Sequence, residues 1–143
     1  MDVASERRRR ALVRIFYSHA KKLYGTSLEE RQISQIKDHF PPDSVVVDPA
    51  RDVNQLGTAE LEMQHFLEVI DQCDCLVFSR YRGVVTSGVL EEVNYALSKA
   101  KPVFELRRGG RIEPVKRNIP RSSKIDALRF IISESVKGIR PRR

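Results

Sequence analysis

Cysteine is scarce in this chain, with only Cys73 and Cys75 among 143 residues, one on each side of Asp74. A separation of two residues is poor geometry for a disulfide, and no further cysteine exists to complete a thiolate metal site, so neither a disulfide scaffold nor a cysteine-built zinc centre is available. The pair reads as buried thiols of a cytoplasmic protein, facing the same side of an extended segment. Long apolar runs are missing too. No stretch approaches the ~18 residues of a membrane span, and no apolar secretion signal opens the chain, so a soluble protein with no membrane partner is expected. Acidic residues are outnumbered, 19 against 26 Lys+Arg, which leaves a net charge of +7. Much of that excess lies in Arg7 to Arg10 and in Arg140, Arg142 and Arg143, so the body between is nearer neutral. A surface of this sign attracts anions such as phosphates. Nucleic acid bound through the basic tails is the less favoured partner, because no interleaved aromatic and basic surface is present.

What is present is centred on Asp71 to Leu106. Cys75 to Phe78 is an apolar run of strand length. A polar loop follows with Arg80, Arg82 and Gly83, then a helical pattern from about Gly88 to Ala100, and Pro102 opens a second apolar run. At about 100° per residue, Val89, Val93, Ala96, Leu97 and Ala100 form one stripe. Glu91 points away from that stripe and should be solvated. Glu92 lies on its border and should be half-enclosed. An acid in the first turns of a helix feels the positive end of the helix dipole, which favours the ionised form that a nucleophile needs. The plainer reading is that Glu92 only complements the dipole.

Upstream, Ala11 to Tyr17 reads as a first strand running into Ser18-His19-Ala20 and a polar loop with Lys21, Lys22 and Gly25. Ser27 to Phe40 reads as a helix with Ser27 and Glu30 in capping-box spacing, stopped by Pro41-Pro42. Ser44 to Val47 is a short strand ended by Asp48-Pro49, and Ala50 to Gly57 a polar loop. Thr58 to Gln72 is a helix with an apolar face of Leu61, Phe66, Val69 and Ile70. Asp71 and Asp74 bound the next strand. Past Leu106, a Gly109-Gly110 turn leads into a hairpin arm through Ile112 and Val115, and Asp126 to Val136 reads as a last helix or a strand-helix remnant. The domain plan is a basic flexible arm over 1–10, one α/β domain over 11–138 and a basic tail over 139–143. Alternating strands and helices predict a three-layer α/β domain, flavodoxin/Rossmann-like, with a mostly parallel sheet and helices on both faces. Ligands of such sheets bind at the carboxyl ends of the strands. That rule makes Tyr17, Ser18 and His19 site candidates, with Arg80 and the helix start at Gly88 beside them. For His19 the alternative is an ordinary surface histidine.

The sequence resembles the nucleoside 2-deoxyribosyltransferase family, including its 2′-deoxynucleoside 5′-phosphate N-hydrolase branch. The features that carry the resemblance are Cys73-Asp74 before the third strand, the strand to Phe78, Thr86-Ser87-Gly88-x-x-x-Glu92-x-x-x-Ala96, and Lys101-Pro102-Val103, with a looser fit of Ile15-Phe16-Tyr17-Ser18. The resemblance implies that Glu92 is the nucleophile at the anomeric carbon. It also implies that Thr86, Ser87 and Gly88 hold sugar hydroxyls or a 5′-phosphate, and that an aromatic at the end of the first strand lines the pocket. Phe16 stands where relatives carry tyrosine, and Tyr17 follows it. The acid that assists departure of the base falls in this register on Phe66, with His65 and Glu62 nearby. The expected catalytic set is Glu92, Tyr17 and His65, and the expected substrate-binding set is Ser18, His19, Arg80, Thr86, Ser87 and Gly88. Neither a metal nor a cofactor is expected. The partners implied are a nucleoside or nucleotide and a second copy of the chain, the homodimer meeting through Met63, Phe66, Leu67 and Tyr95.

Two other classes stay open. One is a nucleotide-binding or sensing module without turnover, towards which Phe16-Tyr17-Ser18-His19-Ala20 adds a faint similarity to the start of a TIR domain. The other is a nucleic-acid binder.

Overall fold

The computed structural model describes residues 12–52 and 58–117. The expected basic arm and tail, residues 53–57 of the expected polar loop and the expected element at Asp126 to Val136 lie outside the described residues.

Strand β1 (Arg14–Ser18) opens the fold and is followed by a 3-10 turn at Lys21–Leu23 and helix α1 (Ser27–His39). The cap of α1 lies one residue earlier than the capping-box spacing suggests. Thr26 is extended, and its Oγ1 accepts from the Glu29 N–H at 3.2 Å, while the Glu29 carboxylate reaches back to the Gly25 N–H at 2.9 Å. Gly25, at φ +75°, supplies the turn that makes this possible. Strand β2 (Val45–Val47) leads directly into a short helix α2 (Pro49–Asp52), where a polar loop is expected from the sequence. Asp48 is the reason: its Oδ1 accepts from the Ala50 N–H at 2.9 Å, and Pro49 suits a first helical position that needs no donor.

Helix α3 (Ala59–Asp71), strand β3 (Cys75–Phe78), helix α4 (Ser87–Ser98) and strands β4 (Val103–Leu106) and β5 (Ile112–Val115) complete the described chain. The sheet order is β2-β1-β3-β4-β5. Its first four strands are parallel and β5 returns antiparallel to β4. The fold class is therefore the expected one, an α/β sheet that is mostly parallel, with β3 at its centre. Among the described residues no helix is long and apolar enough to cross a membrane.

Alternation along the strands divides the core into two layers. Phe16, Val47, Leu76, Phe78 and Val103 face α3 and α4, where they meet Phe66, Ile70, Val89, Val93 and Ala96. Ile15, Tyr17, Val46, Cys75, Val77 and Leu106 face the other way, towards Ile33 and Ile36 of α1. The two cysteines separate between these layers. They do not share a side, because Cys73 lies in the turn before β3 and strand alternation does not reach it. Burial pushes the Cys75 thiol up to about 12. At the amino-terminal end of the strands Asp74 bounds the sheet as expected, its Oδ2 accepting from the Arg14 N–H at 2.7 Å, whereas Asp71 ends α3 and accepts from the Tyr95 hydroxyl of α4 at 2.8 Å.

Two details of the helices differ from the periodicity. Ala100 does not extend the α4 stripe: the helix ends at Ser98, and Ala100 closes it in the left-handed region at φ 59°. On α3, Leu61 is 49% exposed and Glu62 is buried, so the inward stripe is Glu62, Phe66 and Ile70. Phe66 lies in the core and not in a surface patch between copies, while Tyr95 is partly exposed and its hydroxyl donates to Asp71.

Candidate functional site

The sheet order 2-1-3-4-5 reverses direction between β1 and β3, and the crevice outside their carboxyl ends is where such sheets bind ligands. Ser18 and Ser79 follow each other across this edge, joined by a Ser79 N–H to Ser18 carbonyl bond of 3.2 Å. Since α4 packs on one face of β1 and α1 on the other, the side chains of Tyr17, Ser18 and His19 part company here.

Ser18 turns to the α4 face. Its hydroxyl donates to Glu92 Oε1 at 2.5 Å, and both side chains are buried. Glu92 retains 5% of its surface, whereas Glu91 is exposed. The expected contrast between the two acids is therefore present, and Glu92 is more deeply enclosed than its border position suggests. The helix dipole does not hold Glu92 ionised, contrary to expectation. Helix α4 starts at Ser87 with no acid in its first turn, so both glutamates sit beyond the reach of the helix dipole. Burial dominates. It raises the Glu92 carboxyl to about 7, assisted by Glu91 and opposed by the Ser18 hydrogen bond and by Lys21.

Two further groups complete this face. Lys21, in the turn after β1, is ion-paired to the buried Glu62 of α3. The Tyr24 phenol stands between the two faces: burial holds its pKa above the ordinary tyrosine value, the charges of Glu92, Asp48, Glu29 and Glu62 add to this, and its ring centroid is 5.1 Å from that of His19. Thr86 is the N-cap of α4 yet makes no side-chain capping bond, and Met63 lies 3.6 Å from where a Cβ on Gly88 would stand. The start of α4 thus adjoins α3, with a hydroxyl not used on the helix.

Tyr17 and His19, also expected here, turn to the α1 face. The Tyr17 hydroxyl donates to Gln32 Oε1 at 2.5 Å and lies 2.8 Å from Ser79 Oγ. His19 is not a surface histidine: it is buried, stacked on Tyr17 with ring centroids 3.9 Å apart, and its Nε2 is 2.5 Å from Glu29 Oε2. His65 stands apart as well, partly exposed on α3 with Nδ1 3.8 Å from Glu68. Arg80 binds Glu105 at the end of β4, Nε to Oε2 at 2.9 Å. Tyr81 and Val84 pair around a tight turn in which Arg82 and Gly83 both have positive φ, and the Arg82 guanidinium lies 5.4 Å over the Tyr81 ring.

Of the expected residues, then, Ser18 and Glu92 come together, with Thr86, Ser87 and Gly88 on the same helix. Tyr17, His19 and His65 do not join them. Lys21 on this face and Tyr24 at its margin are not expected from the sequence, and Glu62 is expected only as a neighbour of the Phe66 register. The one legible signal was the Glu62, Phe66, Ile70 spacing, which places an acid on a buried stripe.

No protein-family model matches the chain, and no curated protein does. Among solved structures, one described as 2-desoxiribosyltransferase from Leishmania mexicana matches at 14% identity and a TM-score of 0.45, over 85% of this chain and 97% of that one. A superposition that loose bears on neither the chemistry nor the ligand of this chain.

Proposed function

We propose that the protein cleaves or transfers at the N-glycosidic bond of a nucleoside or nucleoside 5′-monophosphate, with Glu92 as the nucleophile. The observation that carries this reading is the buried Glu92 carboxyl, held by Ser18 at the switch point of the sheet and raised to about 7 by burial. A carboxyl of that pKa is substantially ionised at neutral pH, yet it is poorly solvated, and a poorly solvated carboxylate is a stronger nucleophile than one in water. Ser18 orients it. Glu62 and Lys21 form the charged pair beside it, and Tyr24 keeps its proton across the physiological range and can donate to a departing base or to a sugar oxygen. The start of α4, with the Thr86 and Ser87 hydroxyls and the N–H groups of its first turn, suits a sugar hydroxyl or phosphate. In this reading the roles expected of Tyr17 and His65 pass to Tyr24 and to the Lys21–Glu62 pair.

Incubating the protein with a panel of nucleosides and 5′-monophosphates and separating free base by chromatography tests the reading. Release of base from at least one member is expected. One observation favours a second reading, a nucleotide-binding module without turnover: Glu92 is almost fully enclosed and already bonded to Ser18. Saturable binding of the same compounds with no base released would select it.

A further inference from the structure

We propose that His19, Glu29 and Asp48 form a site for one divalent transition-metal ion of the zinc or manganese type, on the α1 face of the sheet. The three residues come from three segments: the loop after β1, the first turn of α1 and the end of β2. Their side chains are 0%, 0% and 3% exposed, and one ligand atom from each lies within 4.8 Å of the other two.

The hydrogen-bond pattern says what the cluster needs. His19 Nδ1 lies 3.0 Å from the Tyr17 carbonyl, which can only accept, so Nδ1 carries the hydrogen. Nε2 lies 2.5 Å from Glu29 Oε2, a hydrogen-bond distance that needs a proton between the two when no ion is bound, and 3.8 Å from Asp48 Oδ1; with the ring neutral it presents a lone pair towards the same carboxylates. A backbone carbonyl that holds one imidazole nitrogen while the other points at carboxylates is how metal-ligating histidines are oriented. The ring is fixed further by its stack on Tyr17 and by Tyr24, whose centroid is 5.1 Å away.

Three electron-rich atoms that converge away from water require a positive charge between them. With both carboxylates ionised and the ring neutral, a divalent ion brings the trio to zero net charge, which suits a buried site. Arg51 does help Asp48, Nε to Oδ2 at 3.6 Å, but its side chain is 53% exposed and solvent weakens its contribution. An ion about 2.0–2.2 Å from each donor sets neighbouring donors roughly 3–3.5 Å apart. The His19 to Glu29 distance would open and the His19 to Asp48 distance would close, each by about 1 Å or less on that geometry. One imidazole with two carboxylates favours Zn²⁺, Mn²⁺ or Co²⁺ over ions that prefer all-oxygen shells or thiolates. Such an ion would tie the ends of β1 and β2 to α1, and would fix Ser18 through its neighbours on either side.

The test is calorimetric titration of chelator-treated full-length protein with ZnCl₂ and MnCl₂, followed by thermal unfolding. Uptake of one ion per chain is expected, with Tm raised by about 5 °C or more at saturating metal. Glu29→Gln and Asp48→Asn, each checked for native circular dichroism, should abolish uptake. His39→Ala combined with His65→Ala should retain it. The Co²⁺ form should show ligand-field bands without thiolate charge transfer, which separates this site from Cys73 and Cys75. If the ligand variants fail to fold, histidine ¹⁵N spectra of the wild type decide: a neutral His19 whose Nε2 resonance moves on adding Zn²⁺ supports the site. A His19 that stays an imidazolium in the presence of Zn²⁺, absence of saturable uptake, or uptake that survives both carboxylate variants overturns it.

Discussion

Two polar clusters lie back to back across the end of one strand. On the α4 face the Glu92 carboxyl meets a serine hydroxyl, and Lys21, whose charge it feels, is committed to Glu62. On the α1 face an imidazole meets two carboxylates, Glu29 and Asp48. Ser18 and His19 are adjacent in sequence and serve opposite sides of the sheet. The difference teaches that strand parity assigns residues to a site, and adjacency along the chain does not. It also separates two ways of burying charge. The α4 face leaves one acid weakly compensated, and its pKa rises. The α1 face collects opposed groups into one compact arrangement, in which removing any member exposes the others.

The largest effect should therefore come from breaking the α1 cluster. Glu29→Ala removes the partner of the buried His19 Nε2 and the acceptor for the Gly25 N–H together, leaving a buried polar group short of its partner. A loss of roughly 3–5 kcal/mol is expected in chelator-treated protein, measured by urea unfolding. A loss below about 1 kcal/mol, the size of an exposed ion pair, would mean that the cluster is no more than a surface pair.

Next in size is the pH dependence of the α4 face. The Glu92 pKa is raised on folding, so between the unfolded value near 4.5 and the folded value near 7 the native state binds the extra proton. Stability is thus greatest below the unfolded pKa and falls as pH rises through the folded one. At pH 8 the ionised buried carboxylate costs on the order of 3 kcal/mol relative to a neutral isostere. Glu92→Gln should accordingly be more stable than the wild type at pH 8 and about equally stable at pH 4. An equal difference at both values would show that Glu92 titrates normally.

A smaller effect is expected at Tyr17, which looks catalytic in sequence and lies on the other face. Tyr17→Phe removes the hydroxyl shared with Gln32 and Ser79, at a cost of about 1–2 kcal/mol in unfolding free energy. The pH profile of Glu92 should not move with it. A shift in that profile would mean that the two faces communicate through β1.

The architecture was legible because its signals are local. The Cys75 to Phe78 run, the Val89, Val93, Ala96 stripe and the Gly109-Gly110 turn each specify their own element, and the alternation of strands with helices specifies the parallel sheet. The contrast between Glu91 and Glu92 was legible for the same reason, since helical geometry alone separates them. Whatever depends on packing between elements was not. Periodicity offers Leu61 as an inward residue, but Glu62 takes that place because Lys21, forty-one positions earlier, neutralises it. Glu29 and Asp48 read as a helix acid and a strand terminator, and nothing along the chain brings them to His19. The helix dipole suggested an ionised Glu92 until the true start of α4 placed it a turn too far along and burial took over.

The claim that Glu92 carries the chemistry is tested most directly by measuring base release for the wild type, Glu91→Gln and Glu92→Gln side by side, on whichever substrate of the nucleoside and 5′-monophosphate panel the wild type turns over. Glu92→Gln keeps shape and hydrogen bonding while removing the nucleophile, so release should fall by roughly 10³-fold or more with substrate binding retained, and Glu91→Gln should stay within about threefold of wild type. Base release that survives in Glu92→Gln, or that disappears in Glu91→Gln alone, would contradict the account.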